Sequence, residues 1–238
     1  MMIYEFEGQP LNFYWTASAP CPYIDGYFER KIVTELGHHS PIRMHETLST
    51  EGFRRSHGIL YKPACPSCER CIAVRVILAK FNPTRSQKRV LLWNKNLSIK
   101  KQSAIATSEQ FEIFSSYQKS RHIGGDMSKM DFNDYKAMIE ETLINTSIIE
   151  FRESSGRLLA VLLVDELRDG MSAVYSFYDP HERKCSLGVF MILWLIFDAR
   201  GTFKDYVYLG FWVKGAKKME YKNKFQPLEY YTKNGWVE

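Results

Sequence analysis

The chain of 238 residues is 45% hydrophobic, 25% charged and 14% aromatic, enough to bury a sizeable core as one large domain or two small ones. That balance excludes a disordered, collagen-like or disulfide-scaffold protein. The longest unbroken apolar run, residues 189–197, covers nine residues, where a helix needs about 20 to cross a bilayer.

The net charge of +5 hides a polarised distribution. Residues 54–101 carry 12 Lys and Arg against Glu69 alone, whereas residues 131–182 carry 11 acids against four bases. A second basic cluster, Lys214, Lys217, Lys218, Lys222 and Lys224, lies near the C-terminus. Clusters of this kind offer a polyanion sites for phosphate neutralisation and counterion release. The plainer reading is a solvated face with scattered salt bridges, but two clusters on an otherwise acidic chain favour RNA or another anion. The opening Met-Met-Ile-Tyr-Glu-Phe-Glu has neither the basic nor the apolar segment of a secretory signal. A cytoplasmic, reducing location is therefore expected, in which five cysteines, three of them within seven residues, suit metal better than disulfides.

In chain order, the first 100 residues hold seven of the nine prolines and four of the five cysteines. They predict an irregular module over residues 1–105, with a short helix at 42–48 and strand-like runs at 72–78 and 90–93. Helical spacing follows in Phe111, Ile113, Phe114 and Tyr117 behind Ser108, and in Phe132, Tyr135, Ile139 and Leu143 behind Asp131. Segments 148–152, 158–164 and 172–178, separated by Ser-Gly and Asp-Gly turn signals, predict an antiparallel meander. Residues 187–197 are apolar on every side and predict a helix buried against a sheet. A strand at 206–209, a basic helix at 215–223 and a strand at 228–232 complete an α+β, acyltransferase-like layout over residues 106–238, with a soft boundary near 100–110.

Four groups carry chemistry. Cys65, Cys68 and Cys71, with Cys21 as a fourth soft ligand, could converge on a structural zinc or contribute to an iron-sulfur cluster. The alternative is a set of buried thiols acting as small hydrophobes. The turn from Arg183 through Ser186 to Gly188 stands before the buried helix, where exposed N–H groups suit a phosphate or a developing oxyanion. It approximates the Arg-x-x-Gly-x-Gly turn of acetyl-CoA-dependent N-acetyltransferases, and an ordinary capped helix start is the alternative. Arg54 and Arg55, near Tyr61, form a pair able to hold a carboxylate or phosphate bidentately, unless one stacks on an aromatic and the other faces solvent. Arg121 and His122 precede a Gly-Gly turn and are read the same two ways.

Taken together, Pro-Cys-Pro-Tyr at 20–23, GFRRSHGILYKPACPSCERC at 52–71, Arg-Ser-Gln-Lys-Arg at 85–89, Arg121-His122, YSFYDP at 175–180, Ser-Leu-Gly at 186–188 and YLGFWVKGAKKMEYKNKFQP at 208–227 resemble the aminoacyl-tRNA–protein transferases of the N-degron pathway. Within that family the bacterial aspartate/glutamate leucyltransferases are the nearer match, because Tyr23 stands where eukaryotic arginyl-transferring members tend to carry a second cysteine. The resemblance implies transfer of leucine from Leu-tRNA to the α-amine of proteins beginning with Asp or Glu, a GNAT-like C-terminal fold, and aminoacyl-tRNA as co-substrate with no organic cofactor. On it, Arg85, Lys88, Arg89, Lys217 and Lys218 are assigned to tRNA phosphates and Arg54 or Arg55 to the acidic side chain. Tyr61, Arg121, His122 and Tyr178 are further substrate contacts. Ser186 and Gly188 are placed near the terminal adenosine or the oxyanion, and Asp179 or Asp165 is assigned to receive the proton. Competing readings are an acyl-CoA-dependent N-acetyltransferase, arginine in place of leucine as donor, and a non-enzymatic RNA-binding protein organised by metal.

Overall fold

The computed structural model describes residues 2–6, 9–37, 39–182 and 185–238. The N-terminal third is more regular than its proline content suggests. Strands β1 (Met2–Phe6), β2 (Gln9–Trp15), β5 (Lys31–Glu35), β6 (Arg54–Ser56) and β7 (Ile59–Pro63) form an antiparallel sheet in the order β1-β2-β5-β7-β6. The short strands β3 (Ala19–Pro20) and β4 (Phe28–Glu29) make a separate ribbon. Helix α1 (Pro41–Thr50) covers this sheet through Met44 and Leu48, which bury against Leu11, Phe13, Leu36 and Leu60. This corrects the expected irregular module. Strands of two to seven residues interrupted by Pro10 and Pro20 give too short an alternation to read.

The second sheet has eight strands in the order β15-β14-β8-β13-β12-β11-β10-β9. They are β8 (Cys71–Ile77), β9 (Ser98–Ser103), β10 (Thr146–Arg152), β11 (Leu158–Glu166), β12 (Gly170–Tyr178), β13 (Tyr206–Val213), β14 (Leu228–Thr232) and β15 (Gly235–Val237). The predicted meander is β10, β11 and β12. All pairs are antiparallel except β12 with β13. Two strands from the N-terminal side of the expected boundary lie inside this sheet. β8 sits between β13 and β14, and β9 forms an edge beside β10, so a cut at 105/106 passes through one hydrogen-bonded layer.

Helices cover both faces. Helix α5 (Leu187–Gly201) and α2 (Arg85–Trp93) pack on one face with Ile149, Leu162 and Val164. Helices α3 (Ser108–Arg121) and α4 (Phe132–Glu140) pack on the other with Ile148, Val161 and Leu163. This alternation assigns successive residues of β10 and β11 to opposite cores. It explains why β11 is apolar over residues 158–164 instead of alternating with polar residues. The expected strand at 90–93 is helical. A capping box closes its start, with Thr84 Oγ1 accepting from the Gln87 amide (3.3 Å) and Gln87 Oε1 from the Thr84 amide (2.8 Å).

Candidate active site

The parallel strands β12 and β13 are paired only over Gly170–Ser172 and Tyr206–Tyr208. Just past the last paired residue, Arg54 of β6 enters from the N-terminal sheet. Its Nη2 donates to the carbonyls of Ala173 (2.8 Å) and Val174 (2.9 Å) on β12. On β13, Lys222 of the 3-10 helix Lys217–Lys224 donates to the Phe211 carbonyl at 2.7 Å. Gly210 makes room: its φ is +72°, and a Cβ there would stand 1.7 Å from Arg54 Nη1. That Nη1 is buried and has no hydrogen-bond partner among the described residues, a costly state for a charged donor. Burial, reinforced by the Arg54 charge, pushes the Lys222 ammonium down to about 7.

Tyrosines line the approach to this gap. The Tyr178 ring stands 3.3 Å from where a Cβ on Gly188 would sit, and it meets Tyr117 edge-on with centroids 4.9 Å apart. The Arg121 guanidinium lies 5.9 Å over the Tyr178 ring, and His122 is 5.7 Å from Tyr117. Burial, then the charges of Lys218 and Arg121, lower the His122 imidazole. Burial raises Tyr221, which also feels both Arg54 and Tyr178, so the 3-10 helix connects the gap to the tyrosine cluster. Ser186 adopts a left-handed conformation before α5 and makes no side-chain cap. The Arg183 end of the expected phosphate-gripping turn lies outside the described residues.

Arg55 points the other way and is spent. Its Nε and Nη2 reach Asp165 Oδ2 (2.7 Å) and Oδ1 (2.8 Å), and Thr146 donates to the same carboxylate at 2.8 Å. The pair is sealed inside, with side-chain exposures of 2% and 0%. His45 completes the cluster, its Nε2 3.6 Å from Asp165. Burial outweighs the attraction of that carboxylate and holds the imidazole down to about 4, neutral at pH 7. Two expectations are corrected here: Asp165 cannot receive a proton from a substrate, and Arg55 cannot read one, because each neutralises the other out of solvent. Asp179 is engaged as well, accepting from Arg157 (3.1 Å) and from the His181 amide (3.0 Å).

Cys21, Cys65, Cys68 and Cys71 line one cavity of about 80 Å³ together with Tyr23 and Tyr61. Burial first, then the other three thiols, pushes Cys71 up to about 12. Cys65 Sγ accepts from the Arg30 amide at 3.5 Å. Among the described residues no three metal-ligating side chains are close enough to hold one ion. The expected ligands are thus gathered without being a formed coordination sphere, and no catalytic step depends on them. Tyr61 belongs to this cavity and packs 5.9 Å from Phe211, next to the gap and not in it.

The two basic clusters become neighbours. Arg85, Lys88 and Arg89 are exposed on α2, and Lys217 and Lys218 are exposed on the 3-10 helix. Gln87 of α2 donates to the Lys224 carbonyl at 2.9 Å, joining the two elements. Residue-by-residue reading misses Lys222, Gly210 and His45. In the sequence Lys222 registers only as charge, and nothing local distinguishes a buried lysine from its exposed neighbours.

Residues 19–89 match the family model described as Arginine-tRNA-protein transferase, N terminus, and residues 109–232, just over half of the chain, match its C-terminus. An aspartate/glutamate leucyltransferase of Paramagnetospirillum magneticum is 48% identical over 96% of this chain and 93% of its own length. Those of Gluconacetobacter diazotrophicus (48%, covering 99% and 91%) and Rhodospirillum rubrum (46%, covering 96% and 94%) are similar. In three dimensions the chain resembles FemX, with a TM-score of 0.54 at 8% identity over 85% of this chain and 69% of that one. It also resembles L-PGS from Bacillus licheniformis, with a TM-score of 0.51 at 13% identity over 70% and 61%, and both likenesses concern fold alone. No helix among the described residues is long and apolar enough to cross a membrane. The strand gap, the two joined basic clusters and these matches converge, and the chain belongs to the arginine-tRNA-protein transferase family.

Proposed function

We propose that this transferase moves leucine from Leu-tRNA to the α-amine of proteins beginning with Asp or Glu, a reading supported by relatives named aspartate/glutamate leucyltransferase and by the tRNA-protein transferase family models that match the chain. The product carries a new N-terminal leucine for N-degron recognition, and dependence on aminoacyl-tRNA places the reaction in the cytoplasm. The observation that carries the reading is Arg54, whose buried Nη1 lacks a partner in a gap shared with Lys222. A substrate carboxylate supplies the missing acceptor, and of the two adjacent arginines only this one is free to take it. Arg121, His122 and Tyr178 line the approach as further substrate contacts, and Ser186 and Gly188 face the terminal adenosine across Tyr178.

The chemistry is aminolysis of an ester. The α-amine nitrogen attacks the leucyl carbonyl, the amide bond forms, the ribose oxygen leaves with the bonding pair and is protonated, and the amine loses a proton. An α-amine with pKa near 7.7–8.0 is roughly a tenth to a fifth neutral at pH 7, so no covalent intermediate is required. Positioning amine and ester is worth up to about 7–11 kcal/mol, more than the 10²- to 10⁴-fold of a typical general base. We assign the released proton to solvent, since Asp165 is sealed and Asp179 is held by Arg157.

The GNAT-like alternative, transfer from an acyl-CoA, is disfavoured by the same gap. A thioester arm threaded there would have to displace the bonds of Arg54 and Lys222 to both strands. Incubation with radiolabelled Leu-tRNA, Arg-tRNA or acetyl-CoA and peptides starting with Asp, Glu or Ala, with and without ribonuclease, separates the readings. Label should move from Leu-tRNA to the acidic peptides only. Transfer from acetyl-CoA, or transfer surviving prior ribonuclease treatment, would overturn the proposal.

A further inference from the structure

Helix α2 docks by one face and presents an unusual other face. Gln87, Val90, Leu91 and Asn94 point inward, at spacings of three and four. Outward point Arg85, Lys88 and Arg89, and beside them at the C-terminal end two adjacent apolar side chains, Leu92 and Trp93, 61% and 57% exposed. Lys95 follows, also exposed. Among the described residues, no ion pair or side-chain hydrogen bond holds any of these four cations. A helix whose inner face already fills the core gains nothing in stability from an indole left in water.

Two hydrogen bonds fix where this face stands. Gln87 ties the start of α2 to the Lys224 carbonyl, and Asn94 donates to the carbonyl of Cys185 at 2.7 Å. Cys185 immediately precedes Ser186, so Trp93 sits one residue from the anchor that joins α2 to the turn before α5. The exposed indole is thereby held beside the turn that leads into α5, whose Gly188 meets Tyr178, on the same helix as the cations.

We propose that Trp93, flanked by Leu92, is a stacking platform for an unpaired base at the aminoacylated 3′ end of the tRNA, while the α2 cations follow the adjoining phosphates. This rests on the tRNA reading above and adds to it a contact that charge alone does not supply. Charge complementarity selects the occupant, because four unpaired cations call for a polyanion and an aromatic face among them stacks on any base. Two apolar side chains on a nine-residue helix offer too little area to hold a lipid surface.

Binding of an acceptor-stem minihelix, with and without its unpaired 3′ nucleotides, tests this in the full chain. Wild type should lose about tenfold in affinity when the single-stranded end is removed. W93A should lose several-fold in affinity for the intact minihelix and be correspondingly less sensitive than wild type to removal of the 3′ nucleotides, and W93F should restore binding. The salt slope of W93A should equal that of wild type, because stacking releases no counterions. Undiminished binding by W93A, or a W93A variant as sensitive to the 3′ end as wild type, overturns the platform while leaving tRNA binding intact. Failure of wild type to bind the minihelix at all would sink both readings. A W93A effect confined to self-association or to anionic phospholipid vesicles would also overturn it.

Discussion

Arg54 and Arg55 are adjacent on a three-residue strand, and strand alternation sends them to opposite sides. On one side Arg55 meets Asp165, Thr146 and His45 in a closed cluster where each charge has a partner. On the other, Arg54 enters the gap between β12 and β13 beside Lys222, with one donor unsatisfied. Arg55 is buried and Arg54 half-buried with its Nη1 withdrawn from water, so each must find partners inside the protein. The difference is whether the polar accounting closes. A closed cluster fixes two sheets against each other, and an open one keeps a demand for a ligand.

The largest expected effect falls on the closed side. R55A or D165A leaves a buried charge alone and should cost about 3–5 kcal/mol in urea unfolding. The double variant should cost less than the sum of the two. A comparable cost from R54A would erase the distinction. His45 comes next. Its imidazole is held at about 4 when folded, against 6.5 when free. The unfolded chain therefore binds the proton more readily, and the contribution is complete above pH 6.5 and lost as pH falls toward 4. About 3 kcal/mol is at stake, and the pH dependence of unfolding should flatten correspondingly in H45F.

On the open side, R54M and G210A should act alike, because a methyl on Gly210 occupies the guanidinium position. Each should lower kcat/KM for Asp- and Glu-initiated peptides by roughly 10- to 100-fold, with tRNA affinity kept. Equal loss of both ligands would refute the assignment. K88A/R89A should do the converse, weakening tRNA binding and reducing its salt slope by about 2. The smallest effect belongs to D179N. If the proton goes to solvent, its rate should stay within a few-fold of wild type and rise with pH in step with the neutral fraction of the substrate amine.

Much of this was legible in residues 106–238. The spacing of Phe114, Tyr135 and Ile139 predicts α3 and α4, and the uniform apolarity around Met191 and Leu195 predicts α5 as a buried helix, because periodicity is strongest where an element is long. The pairing of β8 with β13 and β14 was not legible, since register between distant strands leaves no local mark. The Thr84–Gln87 capping box was present in the sequence, and the β-branched and apolar run after it disguised α2 as a strand. The Arg54–Arg55 pair announced an anion site without saying which guanidinium was committed. That depended on Asp165, 110 residues away.

The insertion of β8 between β13 and β14 has a consequence for dissection of the molecule. A fragment beginning at residue 106 would lack the strand that joins its last hairpin to the rest of the layer, and β13 would present a bare edge open to intermolecular pairing. Neither portion should behave as an autonomous unit when expressed separately. Co-expressed, they should recover activity together by complementation.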